Sequence, residues 1–270
     1  MKVMNQLKFA FLLSLLSSFA LNAAVTPGNN PDPKKMVSAK KEINKLLTDE
    51  LIKQFAKPDL DKKGLADLRD RAIKSGGESI PALVKVMKSS DFPDKSRWVA
   101  TFLVGKIMGE KSAGFIAKFA DHPNWVMRMA SLKTLQALKQ SDKVNLFSKS
   151  LSDKSWLVRK QALDSIKHLN ITKAAPHVWS MLYNKDNYYI NKKGSKRTNL
   201  IKDAVKVVGD LKFEKALDPL FAMIQKPKYE DIFDEMEYAL SKITDKKSPK
   251  GSLKTKRSFW KKTALSYKVI

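Results

Sequence analysis

The chain contains no cysteine, which removes disulfides, thiolate metal sites, cysteine nucleophiles and a lipid-anchoring cysteine together. Histidine is scarce. His122, His168 and His177 are the only three in 270 residues and have no metal-ligand spacing among them. No phosphate-binding glycine loop, zinc signature or nucleophile motif occurs, so neither catalysis nor a cofactor nor a metal is expected. Acids are few: 27 against 52 Lys and Arg, a net charge of +25. Such an excess draws anionic partners at long range and says nothing about fold. Long apolar runs are missing beyond Phe9 to Leu21, and that run falls short of the roughly 20 residues a membrane span needs.

That short run has the layout of a secretory signal. Lys2 and Lys8 form a positive front, and Asn22-Ala23-Ala24 offers small residues for cleavage. Residues 1–23 are therefore read as a signal peptide, an uncleaved anchor being the alternative, and the protein as exported to a bacterial periplasm or envelope. Loss of Lys2 and Lys8 takes the charge from +25 to +23. Residues 24–35 (VTPGNNPDPKK from Val25) have the composition of a flexible tether. Residues 36–76 carry two helical patterns, Ile43, Leu47, Leu51 and Phe55, then Leu65, Leu68, Ala72 and Ile73, stopped by Gly76-Gly77. They are read as a degenerate first repeat or N-terminal cap.

From Asp94 to Leu169 one helical pattern is written three times. Arg97, Arg128 and Arg159 lie 31 residues apart; a small residue follows at plus three (Ala100, Ser131, Ala162) and aliphatics at plus seven (Val104, Leu135, Ile166) and plus ten (Ile107, Leu138, Leu169). Those offsets share one helix face. A period of this size predicts stacked helical hairpins, because no single hairpin can bury its own apolar stripe. First helices open on proline, at Pro81, Pro176 and Pro219, and Asp94, Asn124 and Ser155 are the expected caps of second helices. The register resumes at Val208-Gly209-Asp210-Leu211 after about 11 extra residues and again at Leu240-Ser241-Lys242-Ile243. This gives about five repeats over 77–244, with an insertion at 184–197.

These proline-led first helices, polar turns and second helices such as Trp156-Leu157-Val158-Arg159-Lys160-Gln161-Ala162-Leu163 resemble the HEAT-like repeat family in its short, PBS-lyase-type bacterial form. The resemblance implies an all-α, right-handed superhelical solenoid of antiparallel helix pairs that serves as a binding scaffold. It also implies that the three arginines form a structural ladder between units rather than a site.

Three features are candidates for contact with a partner. The inserted loop offers Tyr188, Tyr189, Lys192, Lys193, Lys196 and Arg197, suited to an anionic partner; the alternative is a solvated insertion. The basic segment 245–270, nine basic residues against one acid, offers Lys256, Arg257, Trp260, Lys261 and Lys262; the alternative is a helix capping the last repeat, with the acidic run Glu230 to Glu237 pairing its charge. Trp125 and Trp156, 31 apart, are read as wedges at one edge, a stacking platform being the alternative. The expected role is a non-enzymatic exported scaffold that binds another protein, with an anionic polymer or membrane surface as the second reading. Nucleic acid is not expected outside the cytosol.

Overall fold

A computed structural model describes residues 33–190 and 196–267, so the expected signal peptide, most of the tether, and Lys192 and Lys193 lie outside the described residues. The architecture is all-α, helical hairpins following one another as in a solenoid. The chain divides into two compact units, Met1–Ile107 and Met108–Ile270. Among the described residues no helix is long and apolar enough to cross a membrane.

In the first unit α1 (Pro33–Phe55) packs on α3 (Ile80–Lys88), burying Leu51 and Phe55 with Leu83, Val86 and Met87. Asp61 caps α2 (Lys62–Ser75), its carboxylate accepting from Gly64 N at 2.7 Å. Gly76, at φ 53°, ends it in a conformation that other residues adopt only with strain. Ser79 then ties the turn down by donating to Ala72 O and Gly76 O. The second helix of the next hairpin is α4 (Asp94–Met108). Asp94 lies inside this helix rather than at its N-cap, and pairs with Arg97 at 3.5 Å.

The second unit holds four hairpins among the described residues: α5 (Ala113–Ala117) with α6 (Trp125–Ala137), α7 (Val144–Ser150) with α8 (Trp156–His168), α9 (Ala175–Ser180) with α10 (Asn199–Asp210), and α11 (Leu217–Ile224) with α12 (Phe233–Thr244). Second helices pack on one another in sequence, α6 on α8, α8 on α10, α10 on α12. One continuous apolar cluster runs from Ala113 to Trp260. The repeat positions explain why. The arginine and the residues at plus three and plus seven are buried in α4, α6 and α8 alike, whereas the plus-ten residues Ile107, Leu138 and Leu169 are half-buried.

Second helices close through a left-handed residue, Gly109 (φ 59°), Lys139 (φ 56°), Asn170 (φ 50°) and Lys212 (φ 51°). In the second unit the chain is locked there by Gln140 N to Leu135 O, Ile171 N to Ile166 O and Phe213 N to Val208 O, at 3.0–3.1 Å. The insertion after α9 forms a minimal hairpin, β1 (Tyr189–Ile190) antiparallel to β2 (Lys196–Arg197), with Tyr189 opposite Arg197. Finally α13 (Leu253–Tyr267) packs on α11.

Gly209 sets the closest approach. A Cβ at this position would meet Ala239 Cα at 2.6 Å and Ala239 Cβ at 3.1 Å. Both helices sit within a filled core, so neither can retreat cheaply. Gly209→Ala is therefore expected to lower stability by about 1–3 kcal/mol, measured by chemical denaturation; a neutral or stabilising result would mean that α10 and α12 are not held this tightly.

Candidate partner-binding surface

Three of the four inter-helix turns of the second unit are built on one repeated device. His122 Nδ1 accepts from Asn124 N at 3.0 Å, Asp153 Oδ1 from Ser155 N at 2.7 Å, and Asn184 Oδ1 from Asp186 N at 2.9 Å. Each is a side chain capturing the amide two residues on, and the three lie 31 residues apart. His122 also stacks on Phe119. Asn124 caps α6 by accepting from Val126 N. Ser155 occupies the N-cap of α8, but its side chain makes no capping bond, because Asp153 already holds that turn.

Arginines three residues into the second helices are buried and fill the same turns. Arg97 donates to Met87 O at 3.3 Å. Arg128 donates to His122 O and Pro123 O in its own hairpin and grips both oxygens of Asp153 in the next, at 2.6 and 2.7 Å. Arg159 donates to Asp153 O and Lys154 O and, one hairpin on, to Asp186 O at 2.9 Å. Burial pushes the Asp153 carboxyl up, but the Arg128 hydrogen bond and the Ser155 amide outweigh it and hold it below the usual range. Apart from Arg159 Nε, which is buried without a hydrogen-bond partner among the described residues, these guanidinium groups are occupied by the protein itself.

The aromatic residues at the same turns are left outside. At the first position of a helix the Cα–Cβ bond tilts back toward the N terminus, which carries the indoles of Trp125 and Trp156 over their turns, 40% and 57% exposed. Expected as wedges, they are instead surface groups, because the arginine three residues later takes the inward direction. The next hairpin adds Tyr183, 72% exposed, held edge-to-face against Trp179, whose Nε1 donates to its hydroxyl at 3.2 Å. Tyr183 was not among the candidates read from sequence. The signal that finds it is position: it too falls on an inter-helix turn. Exposed Lys118, Lys149, Lys154 and Lys185 accompany this row, Lys149 pairing with Asp121 at 2.6 Å.

Other sequence candidates fare differently. Tyr188 is half-buried, its hydroxyl donating to Leu182 O at 2.7 Å, and burial pushes its pKa up. Tyr189, Lys196 and Arg197 stand in the small β-hairpin. In the C-terminal segment three candidates are corrected. Trp260 is 0% exposed, packed against Phe221 and Phe259 with its Nε1 3.4 Å from Glu237. Lys256 pairs with Glu237 at 2.7 Å. Arg257 donates to Ile224 O and pairs with Glu230 at 3.3 Å. Glu237 and Glu230 of the acidic run thus pair with Lys256 and Arg257 of the tail in covering the last hairpin, and of the sequence candidates there only Lys261 and Lys262 remain exposed.

The carboxylate at the centre of this cap titrates unusually. Burial pushes the Glu237 carboxyl up, but hydrogen bonds from Lys256, Ser248 and Trp260 win and hold it below its ordinary 4.5. A group depressed on folding contributes stability above its unfolded pKa and loses it as pH falls through the folded value. Acidification from 4.5 downward is therefore expected to loosen α13, seen as a shift in Trp260 fluorescence. Glu237→Gln should flatten that part of the pH profile; an unchanged profile would remove Glu237 from the cap's electrostatics. Trp260→Ala should cost about 3–5 kcal/mol.

Comparison with known proteins matches the family model for HEAT repeats to residues 80–167 and 112–193. No curated protein matches the sequence. The solved structure of human deoxyhypusine hydroxylase in complex with glycerol is similar at 14% identity over 86% of this chain and 100% of its own, with a TM-score of 0.31. That score is too low to bear on fold or chemistry.

Proposed function

From a chain that carries HEAT repeats, we propose a non-enzymatic scaffold that binds another protein through the exposed aromatic row Trp125, Trp156 and Tyr183. The observation behind this reading is a contrast within one turn. Arg128 and Arg159 turn inward and donate to backbone and carboxylate groups of their own and the next hairpin, while Trp125 and Trp156, three residues before them, face solvent. Tryptophan and tyrosine are the residue types that concentrate binding energy at protein interfaces, and a rigid turn holds them at low entropic cost.

The site of action we propose is outside the bacterial cytosol, in the periplasm or envelope. Lys2, Lys8, the apolar run Phe9 to Leu21 and the small residues at 22–24 support export. A fusion to a reporter active only after export tests this; activity that survives deletion of residues 1–23 would contradict it. An anionic polymer or membrane surface is the competing partner, supported by the +25 charge. Against it stands the internal neutralisation of Lys256 and Arg257.

A photo-crosslinking residue placed at Trp156 in the full chain is expected to capture a protein in cells, and Trp125→Ala with Trp156→Ala to weaken association with that captured protein about thirtyfold or more. The double variant should stay folded, with stability lowered by no more than about 2 kcal/mol, since Trp125 is 40% and Trp156 57% exposed and neither lies in the apolar core. Retention on an anionic resin that collapses steeply with salt, together with no protein crosslink, would favour the polyanion and overturn the proposal.

A further inference from the structure

The first unit carries a second, different surface. Two helices present matching stripes, Lys62, Leu65, Ala66 and Arg69 from α2, and Lys95, Trp98, Val99 and Phe102 from α4. Together they line an open groove of about 290 Å³ with Leu103 at its floor. Both stripes follow the i, i+3, i+4, i+7 spacing of one helix face.

Two of these residues are out of character for the repeat. One position after the arginine, where α4 has Trp98, other second helices have Met129, Lys160, Lys202 and Asp234. Five positions after it, where α4 has Phe102, they have Lys133, Asp164, Lys206 and Tyr238. In the second unit those polar positions pair across neighbouring helices, Lys160 with Asp203 at 3.3 Å and Lys202 and Lys206 with Glu235 at 3.7 and 3.6 Å. The groove between α2 and α4 has no such pairing. Phe102 stays 38% exposed, and every charged residue lining the groove is cationic. Arg69 holds only its sequence neighbour Asp70 at 3.0 Å, an exposed and readily exchanged pair. Lys95 is anchored by Leu60 O at 2.8 Å, which fixes one rim.

The geometry points to a docking groove for an amphipathic helix of a partner protein, its apolar stripe flanked by carboxylates. A groove between two helices accepts the ridge of a third. Its cationic rim selects acidic flanks, and its length, about 10 Å over seven residues of helix, matches two turns of the occupant. This rests on the reading of the chain as a protein-binding scaffold but uses none of the aromatic row.

The test uses the full chain and a labelled designed helical peptide with leucines at i, i+3, i+4 and i+7 and glutamates on both flanks, beside a matched lysine-flanked peptide. Saturable binding of the acidic peptide is expected, weakened at least about tenfold by Phe102→Asp. Lys62→Glu should shift preference toward the lysine peptide, and Trp156→Ala should change nothing. Lys62 lines the groove and is exposed, so its exchange leaves the packing intact and the test remains decisive if Phe102→Asp unfolds the unit. No saturable binding, equal binding of both peptides, or occupation of the groove by a second copy of the chain would overturn the proposal. If only the peptide experiment fails while the Trp156 crosslink persists, the groove assignment falls and the scaffold reading stands.

Discussion

A buried cation must find its partners inside the protein or the fold cannot keep it. Arg128 meets that demand by reaching out of its own hairpin to both oxygens of Asp153 in the next, at 2.6 and 2.7 Å, and the bidentate geometry fixes direction as well as distance. Once that bond is set, the register between hairpins is set. α6 then lies against α8 so that Leu132 and Leu135 share one apolar cluster with Val158 and Leu163, and Gln136 lies where Gln161 and Ser165 can both donate to it. Burying the ion pair is not in itself a gain, because desolvation offsets most of the attraction. Its contribution is to specify one alignment among several that the apolar surfaces alone would accept.

The same economy decides which groups are left for outside use. Charges along the second helices of the second unit are mostly cancelled between neighbours, as in Lys167 with Asp210 at 3.0 Å. Two of the tail's basic residues, Lys256 and Arg257, are drawn onto Glu237 and Glu230. A formal charge of +25 therefore overstates what these parts of the surface offer an anion. What stands apart is aromatic: an exposed row at turns in the second unit and an exposed Phe102 in a cation-rimmed groove in the first.

The all-α hairpin architecture was legible because three arginines at a 31-residue period carry both the helical face and its recurrence. Helix closures were not. Lys139, Asn170 and Lys212 adopt the left-handed conformation that composition assigns to glycine, since the surrounding hairpins dictate the reversal whatever residue stands there. The turn device at His122, Asp153 and Asn184 was hidden by three different side chains playing one role. The surface was least legible. Helical spacing places Trp260 among lysines without saying that Phe221 waits for it, and an indole at a turn reads alike whether it points in or out. Comparing each repeat position with its equivalents would have singled out Phe102, whose counterparts are three charged residues and a tyrosine.

A double-mutant cycle on Arg128 and Asp153, with each residue replaced by alanine singly and together, measures the alignment bond itself. Since both groups sit largely out of water and share two hydrogen bonds, a coupling of about 2–3 kcal/mol is predicted. Additivity within about 0.5 kcal/mol would contradict the claim that this pair sets how one hairpin meets the next.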